Sequence, residues 1–208
     1  MKQHSIPGIL ITFCGLDGCG KTTQINKLKN WLDDMGLPVE LTKQPTNFVR
    51  KSDIFRTYMD TANHNKYDYR SLSLLCAADR VQHSNRVITP LLENGKIVIS
   101  DRYFYSCLAN LQARGYTHDT WIYEIAKSIP KPDIAFFLDT DTETAIQRVH
   151  ARKEEKDRYI DIDLQYRLRS TFLSIAKEND GIIISTKQSE DICFSIIKQS
   201  VLEVLKRV

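Results

Sequence analysis

Residues 15–22 read Gly-Leu-Asp-Gly-Cys-Gly-Lys-Thr, and this stretch decides the fold because it satisfies the pattern G-x-x-x-x-G-K-[ST]. It follows a short apolar run and opens a stretch of helical composition, where a phosphate-binding loop belongs. Glycines let successive backbone N–H groups turn inward onto phosphate oxygens, and a helix N-terminus adds positive potential. The sequence therefore predicts a nucleotide-binding loop formed by Gly15, Gly18, Cys19, Gly20, Lys21, Thr22 and Thr23.

Two side chains of this loop are placed to handle a bound nucleoside triphosphate. We expect Lys21 to reach the β- and γ-phosphates and the hydroxyl of Thr22 to ligate Mg²⁺. A glycine turn with a purely structural role is the alternative, and the position between a strand and a helix favours the nucleotide. ATP and Mg²⁺ are therefore the expected cofactors.

Around the loop, short apolar runs alternate with longer helical stretches. Runs with so little polar alternation are typical of parallel strands buried on both faces, and strand–helix alternation implies right-handed crossovers. We predict an α/β fold, a three-layer, doubly wound, five-stranded parallel sheet flanked by helices. The predicted strands are 9–14, 39–42, 97–100, 134–138 and 182–185, and the predicted helices are 22–35, 69–93, 119–127, 142–152, 162–178 and 190–207.

Composition excludes several classes of protein. The 208 residues predict one P-loop domain over 1–208, and a net charge of +3 is too small for a protein that coats nucleic acid. No apolar run approaches the roughly 18–20 residues that a membrane span needs. The five cysteines form no CxxC pair, which favours a reducing cytoplasm. The expected partner is a small molecule, with neither nucleic acid nor membrane.

Three kinds of P-loop protein have to be separated: GTPase switches, ATP-driven machines and small-molecule kinases. A guanine-reading pattern exists at residues 65–68, but it lies in a polar stretch and follows no apolar strand. Residues 33–36 imitate D-x-x-G, but they close the first helix as a glycine cap. ATP-driven machines usually have longer chains, so the length favours a small kinase.

The second anchor is Asp101-Arg102-Tyr103, directly after the predicted strand 97–100. An aspartate at the carboxyl end of a parallel strand, beside the P-loop strand, can organise Mg²⁺ or an acceptor. The guanidinium of Arg102 offers a planar fork for a second phosphate. A surface ion pair is the alternative, and the strand-end position favours the functional interpretation.

Together these motifs resemble the thymidylate kinases, within the nucleoside-monophosphate kinases. The order and spacing agree over most of the chain, at residues 15–23, 43–46, 74–83, 100–106, 132–139 and 157–159. The resemblance implies transfer of the ATP γ-phosphoryl group to a pyrimidine 5′-monophosphate, most simply dTMP, by a homodimer. It implies that Asp17 positions the acceptor sugar, that Arg80 bonds the thymine edge and that Arg102 binds the acceptor phosphate. The residues of the implied substrate site are Asp17, Gln44, Pro45, Cys76, Arg80, Arg102, Ser106, Cys107 and Asn110.

Phosphoryl transfer needs positive charge around the transferred group, and the P-loop holds no arginine. Residues 148–161 lie between two predicted helices and are rich in cations. We therefore expect a basic lid there, with Arg152 and Arg158 as catalytic residues beside Lys21, Asp101, Arg102 and Asp17. A solvated run of charges is the alternative.

The base and sugar pocket departs from the family pattern. Cys76 stands where the family usually has a phenylalanine that stacks on thymine, and Asn110 stands where it has an aromatic residue beside the 2′ position. Gln44 replaces a glutamate. A thymidylate kinase with a relaxed pocket is one hypothesis; a kinase for another or modified pyrimidine monophosphate, including one with a 2′-hydroxyl, is the second. A nucleotide-binding regulator without turnover is the third.

Overall fold

A computed structural model describes residues 1, 6–60, 62 and 66–206, and its centre is the strand that leads into the P-loop. Strand β1 (Ile9–Cys14) is buried at every position. Because alternate side chains of a strand point to opposite faces, both faces of the sheet are covered at β1. The sequence shows this in advance, since the run is apolar throughout.

Four more strands complete a parallel sheet with the order β2-β3-β1-β4-β5. All five predicted strands are confirmed, three of them ending one residue later than predicted. Their bounds are β2 (Val39–Lys43), β3 (Ile97–Asp101), β4 (Ile134–Asp139) and β5 (Ile182–Ser185). The carboxyl ends of parallel strands share one edge of the sheet, so the P-loop and Asp101 meet at that edge.

Helices cover the sheet in two groups. Helix α1 (Lys21–Asp34) packs with α10 (Glu190–Leu205), and α6 (Phe104–Ala113) packs with α9 (Ile162–Glu178). The doubly wound α/β prediction is thus confirmed. The other helices are α2 (Asn47–Arg50), α3 (Asp53–Asp60), α4 (Tyr69–His83), α5 (Thr89–Glu93), α7 (Trp121–Ala126) and α8 (Thr142–His150).

The predicted helix over 69–93 is interrupted. A π-helical turn, Ser84–Ile88, separates α4 from α5, and Pro90 lies in the first turn of α5. Proline has no N–H to donate to the carbonyl four residues earlier, and its ring crowds that carbonyl. The backbone opens into a wider turn at that point. The sequence-based interpretation of one continuous helix is therefore corrected.

Helices α2, α3 and α6 are absent from the sequence-based prediction. Eight of the ten residues of helix α6 are buried, and the other two, Asn110 and Gln112, are partly exposed. A helix that is apolar on most sides has no amphipathic stripe, so periodicity does not reveal it. Three predicted helices are longer than the observed ones: 119–127, 142–152 and 190–207 correspond to the shorter α7, α8 and α10. Residues 207–208 and Asn65 of the guanine-like pattern lie outside the described residues.

Candidate active site

The P-loop connects β1 to α1 and is held against α8. Gly18 has φ +82°, and a Cβ built on it would overlap the carbonyl oxygen of Ala145. Glycine is therefore required at this position for both its backbone conformation and its lack of a side chain. Lys21 is 7% exposed, and its Nζ donates to the carbonyl of Leu16 at 2.6 Å and to that of Gly15 at 3.2 Å. The loop thus curls around the lysine.

Asp17 joins three segments that are far apart in the sequence. Its Oδ1 accepts from Arg102 Nη2 at 2.6 Å, and its Oδ2 accepts from Arg158 Nη2 at 3.1 Å. Burial would raise the pKa of this carboxyl, but the positive charges of Arg102, Lys21 and Arg158 outweigh burial and hold its pKa well below the usual range. Asp17 is therefore ionised and ties the P-loop to the end of β3 and to the basic segment.

Asp101 lies at the end of β3, beside the P-loop. Its Oδ2 pairs with Lys43 Nζ at 2.9 Å, while Oδ1 is buried without a hydrogen-bond partner among the described residues. Burial would raise its pKa, but Arg102, Lys21 and Lys43 lower it below the usual value. A buried, ionised oxygen without a partner is an oxygen ligand of the kind that Mg²⁺ prefers. The donor set therefore fits a hard divalent cation.

The residues before α6 form a cationic corner. Arg102 has φ +68°, an uncommon conformation for a residue with a side chain, and such outliers gather at functional sites. Its Nη1 donates to Ser106 Oγ at 3.4 Å. Burial would lower the pKa of Arg102, but Asp17 and Asp101 raise it above its ordinary value. Arg102 is thus a permanent cation facing the P-loop.

Helices α4 and α6 form the far end of the cavity that the P-loop and Arg102 also line. Arg80 is 4% exposed, and its Nε donates to the carbonyl of Tyr103 while Nη1 donates to that of Cys76. Burial raises the pKa of the Cys76 thiol to about 11, so this thiol is neutral and acts as a small apolar wall. Asn110 Nδ2 donates to the carbonyl of Ser106 at 2.9 Å.

The basic segment 148–161 follows α8 and lies at the P-loop. Glu155 accepts from Arg152 Nη1 at 2.8 Å and from Arg158 Nη1 at 3.1 Å. Arg158 therefore bridges Glu155 and Asp17. Arg158 is mostly buried, with 17% of its side chain exposed, and it pairs with Asp17 of the P-loop.

One cavity of about 550 Å³ connects all of these parts. It is lined by every predicted site residue except Gly15, Cys19 and Gln44. Gly15 supplies a carbonyl to Lys21, and Cys19 is buried inside the loop. Gln44 is fully buried, and its Nε2 donates to His83 Nδ1 at 3.0 Å. Gln44 thus supports the turn whose next residue, Pro45, lines the cavity.

Sequence reasoning missed several residues that line this cavity. Arg50 of α2 donates from Nε to the carbonyl of Pro45 at 2.7 Å; burial, together with the nearby charge of Arg102, lowers its pKa. Arg114 follows α6 by one residue and lies four positions after Asn110. Had α6 been predicted, the spacing of four between Asn110 and Arg114 would have indicated that the two side chains lie on the same side of the helix. Other lining residues that were missed include Phe55, Tyr58, Tyr69, Thr186 and Gln188.

The end of the cavity beyond α1 is formed by the connection between β5 and α10. Gln24 Nε2 donates to the carbonyl of Glu190 at 3.0 Å, which joins α1 to this connection. Thr186, Gln188 and Glu190 line the cavity there. The P-loop therefore lies in the middle of the cavity, with this end on one side and the corner at Arg102 on the other.

A P-loop at the carboxyl edge of a doubly wound parallel sheet, facing a second cationic corner across one cavity, defines a P-loop phosphotransferase with a small phosphorylated acceptor. A family model described as thymidylate kinase matches residues 13–197. The chain belongs to the thymidylate kinase family. It is therefore an ATP-dependent nucleoside-monophosphate kinase, as the sequence predicted.

Individual relatives agree with the family match. A probable thymidylate kinase of Pyrococcus horikoshii is 37% identical over 172 residues, which cover 82% of this chain and 83% of the relative. One of Thermococcus gammatolerans is 34% identical over 210 residues, covering 97% and 100%. The thymidylate kinase of Prochlorococcus marinus is 33% identical over 208 residues, covering 96% and 98%. The similarity therefore extends over nearly the whole chain.

Proposed function

We propose that the acceptor is a pyrimidine nucleoside 5′-monophosphate, with dTMP as the preferred substrate and dTDP as the product. The observation that carries the phosphoryl-transfer part of this proposal is the pairing of Asp17 with both Arg102 and Arg158, since it joins the P-loop, the acceptor corner and the basic segment at one point. The names of the relatives, all thymidylate kinases, support dTMP as the first substrate to test.

The mechanism follows from the distribution of charge. The P-loop holds the donor triphosphate, with Lys21 moving from the loop carbonyls to the transferred phosphoryl group. Arg102 holds the acceptor phosphate, and its neighbour Ser106 orients it. Because the transition state of phosphoryl transfer spreads negative charge over the transferred group, Arg152 and Arg158 stabilise it from the lid 148–161. Closure of this lid excludes water from the cavity.

A bound Mg²⁺ would neutralise negative charge on the reacting phosphates. It would be held by Asp101, whose buried Oδ1 has no protein partner among the described residues, and by Thr22, which lines the cavity. Asp101→Asn keeps the size of the side chain and removes its charge. We expect this variant to need more Mg²⁺ for half-maximal activity.

A second acceptor class is favoured by the base end of the cavity. Asn110 is bonded along its own helix, and Cys76 offers no ring on which a base could stack. Aromatic stacking contributes about 1–3 kcal/mol per base. Without that contribution, the pocket discriminates less strongly between thymine and other pyrimidine bases. A modified pyrimidine, or one with a 2′-hydroxyl, is therefore the second candidate.

Several properties extend the proposal beyond the reaction. We assign residues 1–208 to one kinase domain with a cytoplasmic location, whose ligands are small molecules and which binds neither nucleic acid nor membrane. The family resemblance supports a homodimer. Within the part of the chain that the structure describes, no helix is both long enough and apolar enough to cross a bilayer.

A coupled assay of ADP release with Mg-ATP tests the function. The acceptors are dTMP, dUMP, UMP, dCMP, CMP, AMP and GMP. Lys21→Ala is the inactive variant, and Lys29→Ala, at a partly exposed position of the same helix, is its matched control. Preference for dTMP supports the first proposal, and preference for another pyrimidine supports the second. Turnover that is equal in Lys21→Ala and the wild type would contradict both.

A further inference from the structure

Two tyrosines and two arginines form a cluster between α4 and the residues after α6. The rings of Tyr69 and Tyr116 are stacked, with centroids 6.0 Å apart and planes inclined by 23°. The guanidinium carbon of Arg114 lies 4.1 Å from the centroid of Tyr69, and that of Arg70 lies 4.5 Å from the centroid of Tyr116. Each ring of the pair therefore has its own arginine, at the short end of the cation–π range.

The two arginines differ in what else they face. Arg70 forms a two-bond pair with Asp119, at 2.7 Å and 3.1 Å, and does not line the cavity. Arg114 lines the cavity beside Tyr69, Cys76 and Asn110. Arg80 donates to the carbonyl of Cys76, and both residues line the cavity together with Tyr69. Arg114 thus belongs to the same end of the cavity as Arg80.

Arg114 is bonded to Asn110 through one nitrogen and keeps its other donors free. Its Nη1 donates to the Oδ1 of Asn110 at 2.8 Å and to the carbonyl of Asn110 at 3.2 Å. Within the described parts of the chain, Nη2 and Nε of Arg114 have no acceptor. A guanidinium is planar, permanently charged and a donor only. It therefore presents a flat surface and unused N–H groups to the cavity.

The position of Arg114 relative to the phosphate corner indicates which part of the acceptor it meets. Arg102 bonds Ser106, and Asn110 lies one helical turn, about 6 Å, farther along α6. The guanidinium of Arg114 leans back to the level of Asn110. An acceptor whose phosphate lies at Arg102 therefore extends its base toward Arg114.

We propose that Arg114 is a specificity-determining residue of the acceptor site, contacting the nucleobase and selecting pyrimidines with a carbonyl oxygen over those with an amino group at the same position. A donor-only group can bond the 4-carbonyl of uracil or thymine but has no acceptor for the 4-amino group of cytosine. Its flat face, backed by Tyr69, also supplies the planar contact that Cys76 does not. This inference rests on the proposed function.

The test compares Arg114→Met with Arg70→Met, because both remove a cation–π contact from the same tyrosine pair and only the first changes the cavity. The measurements are kcat and KM for dTMP, dUMP and dCMP, KM for ATP, and the thermal midpoint Tm. We expect Arg114→Met to raise KM for dTMP and dUMP about 10- to 100-fold, the cost of losing charged hydrogen bonds. We expect KM for ATP to stay unchanged and the preference for dTMP over dCMP to narrow by at least tenfold. Arg114→Lys, which keeps the charge without the planar fork, is expected to show KM values and a dTMP preference between those of the wild type and Arg114→Met.

The outcomes separate this inference from the proposed function. If the wild type phosphorylates a pyrimidine monophosphate while Arg114→Met behaves like Arg70→Met, Arg114 is only structural and the inference is overturned. The same holds if Arg114→Met lowers kcat/KM equally for dTMP and dCMP. If Arg114→Met loses its fold, as judged by Tm, the milder Arg114→Lys variant decides by its dTMP to dCMP ratio. If the wild type uses no pyrimidine monophosphate, both proposals fail.

Discussion

Gly18 illustrates how a single residue decides the shape of the phosphate loop. Its positive φ is disfavoured for residues with a side chain, and the carbonyl of Ala145 occupies the space that a Cβ would need. Gly36, just after α1, also has positive φ, but a Cβ there would meet no atom within 4 Å. Substitution of Gly36 by alanine therefore measures the free-energy cost of the backbone conformation alone. Substitution of Gly18 adds the cost of the steric overlap with Ala145.

We predict that Gly18→Ala is far more damaging than Gly36→Ala. Gly36→Ala only forces an alanine into the left-handed backbone conformation, so we expect it to lower the free energy of unfolding by about 1 kcal/mol and to leave the activity unchanged. Gly18→Ala must also displace α8 from the P-loop, so we expect a loss of more than about 2 kcal/mol and a rise in KM for ATP of at least tenfold. Urea denaturation and steady-state kinetics measure both effects. Equal losses in the two variants would contradict this account of Gly18.

At the scale of elements, ion pairs hold the proposed lid, residues 148–161, in its conformation. It contains a short 3₁₀ turn, Lys153–Glu155, in which no residue is buried, so packing contributes little to the position of this turn. Glu155 lies between Arg152 and Arg158 and bonds both, while the adjacent Glu154 is exposed. Glu155 therefore orients the two arginines before the nucleotides bind.

We predict that Glu155→Gln lowers kcat by about two- to fivefold, the value expected for loss of partly exposed ion pairs. KM for ATP should change less, because the P-loop binds the donor independently of the lid. Glu154→Gln removes the same charge one residue away and is expected to retain wild-type kinetics. The charge argument is refuted if both variants lower kcat to the same extent, or if neither does.

At the scale of the whole molecule, His83 connects α4 to the edge strand β2. Gln44 Nε2 donates to His83 Nδ1, so the neutral ring carries its proton on Nε2, which donates to Thr42 Oγ1 at 2.9 Å. Burial lowers the pKa of His83, and the charge of Asp79 only partly opposes this. A protonated ring could not accept from Gln44, so this junction needs neutral His83.

The sign of the pH dependence follows from that lowered pKa. As pH falls below about 6.5, the unfolded chain binds a proton that the folded His83 resists, so stability is lost on acidification through this range. We predict that the stability advantage of the wild type over His83→Gln shrinks between pH 7 and pH 5. Urea midpoints of both proteins at several pH values measure it, with the exposed His118→Gln as control. A pH-independent difference between the wild type and His83→Gln would disprove the role of His83.

Much of the fold was predictable because its signals are local. Strand β1 is an apolar run ended by the glycine loop, and the strands β1 and β5 have the predicted bounds. Helix α6 was not predicted because it is apolar on most sides. The π-helical turn was not predicted because a proline in a helical pattern indicates a break or kink without indicating which kind of turn replaces the helix. The missed helix also concealed Arg114, whose relation to Asn110 exists only on a helix.

The sequence by itself determined the P-loop, the parallel sheet and the family, since each depends on residues that are neighbours in the chain or on periodic patterns within one element. Only the tertiary structure decided which charges meet. Asp17 pairs with Arg102 and Arg158, which are 85 and 141 positions away, and Gln44 turns out to bond His83 instead of lining the cavity. The physical reason is that contacts between distant residues depend on how sheet and helices pack, and no local pattern records the direction in which a side chain then points.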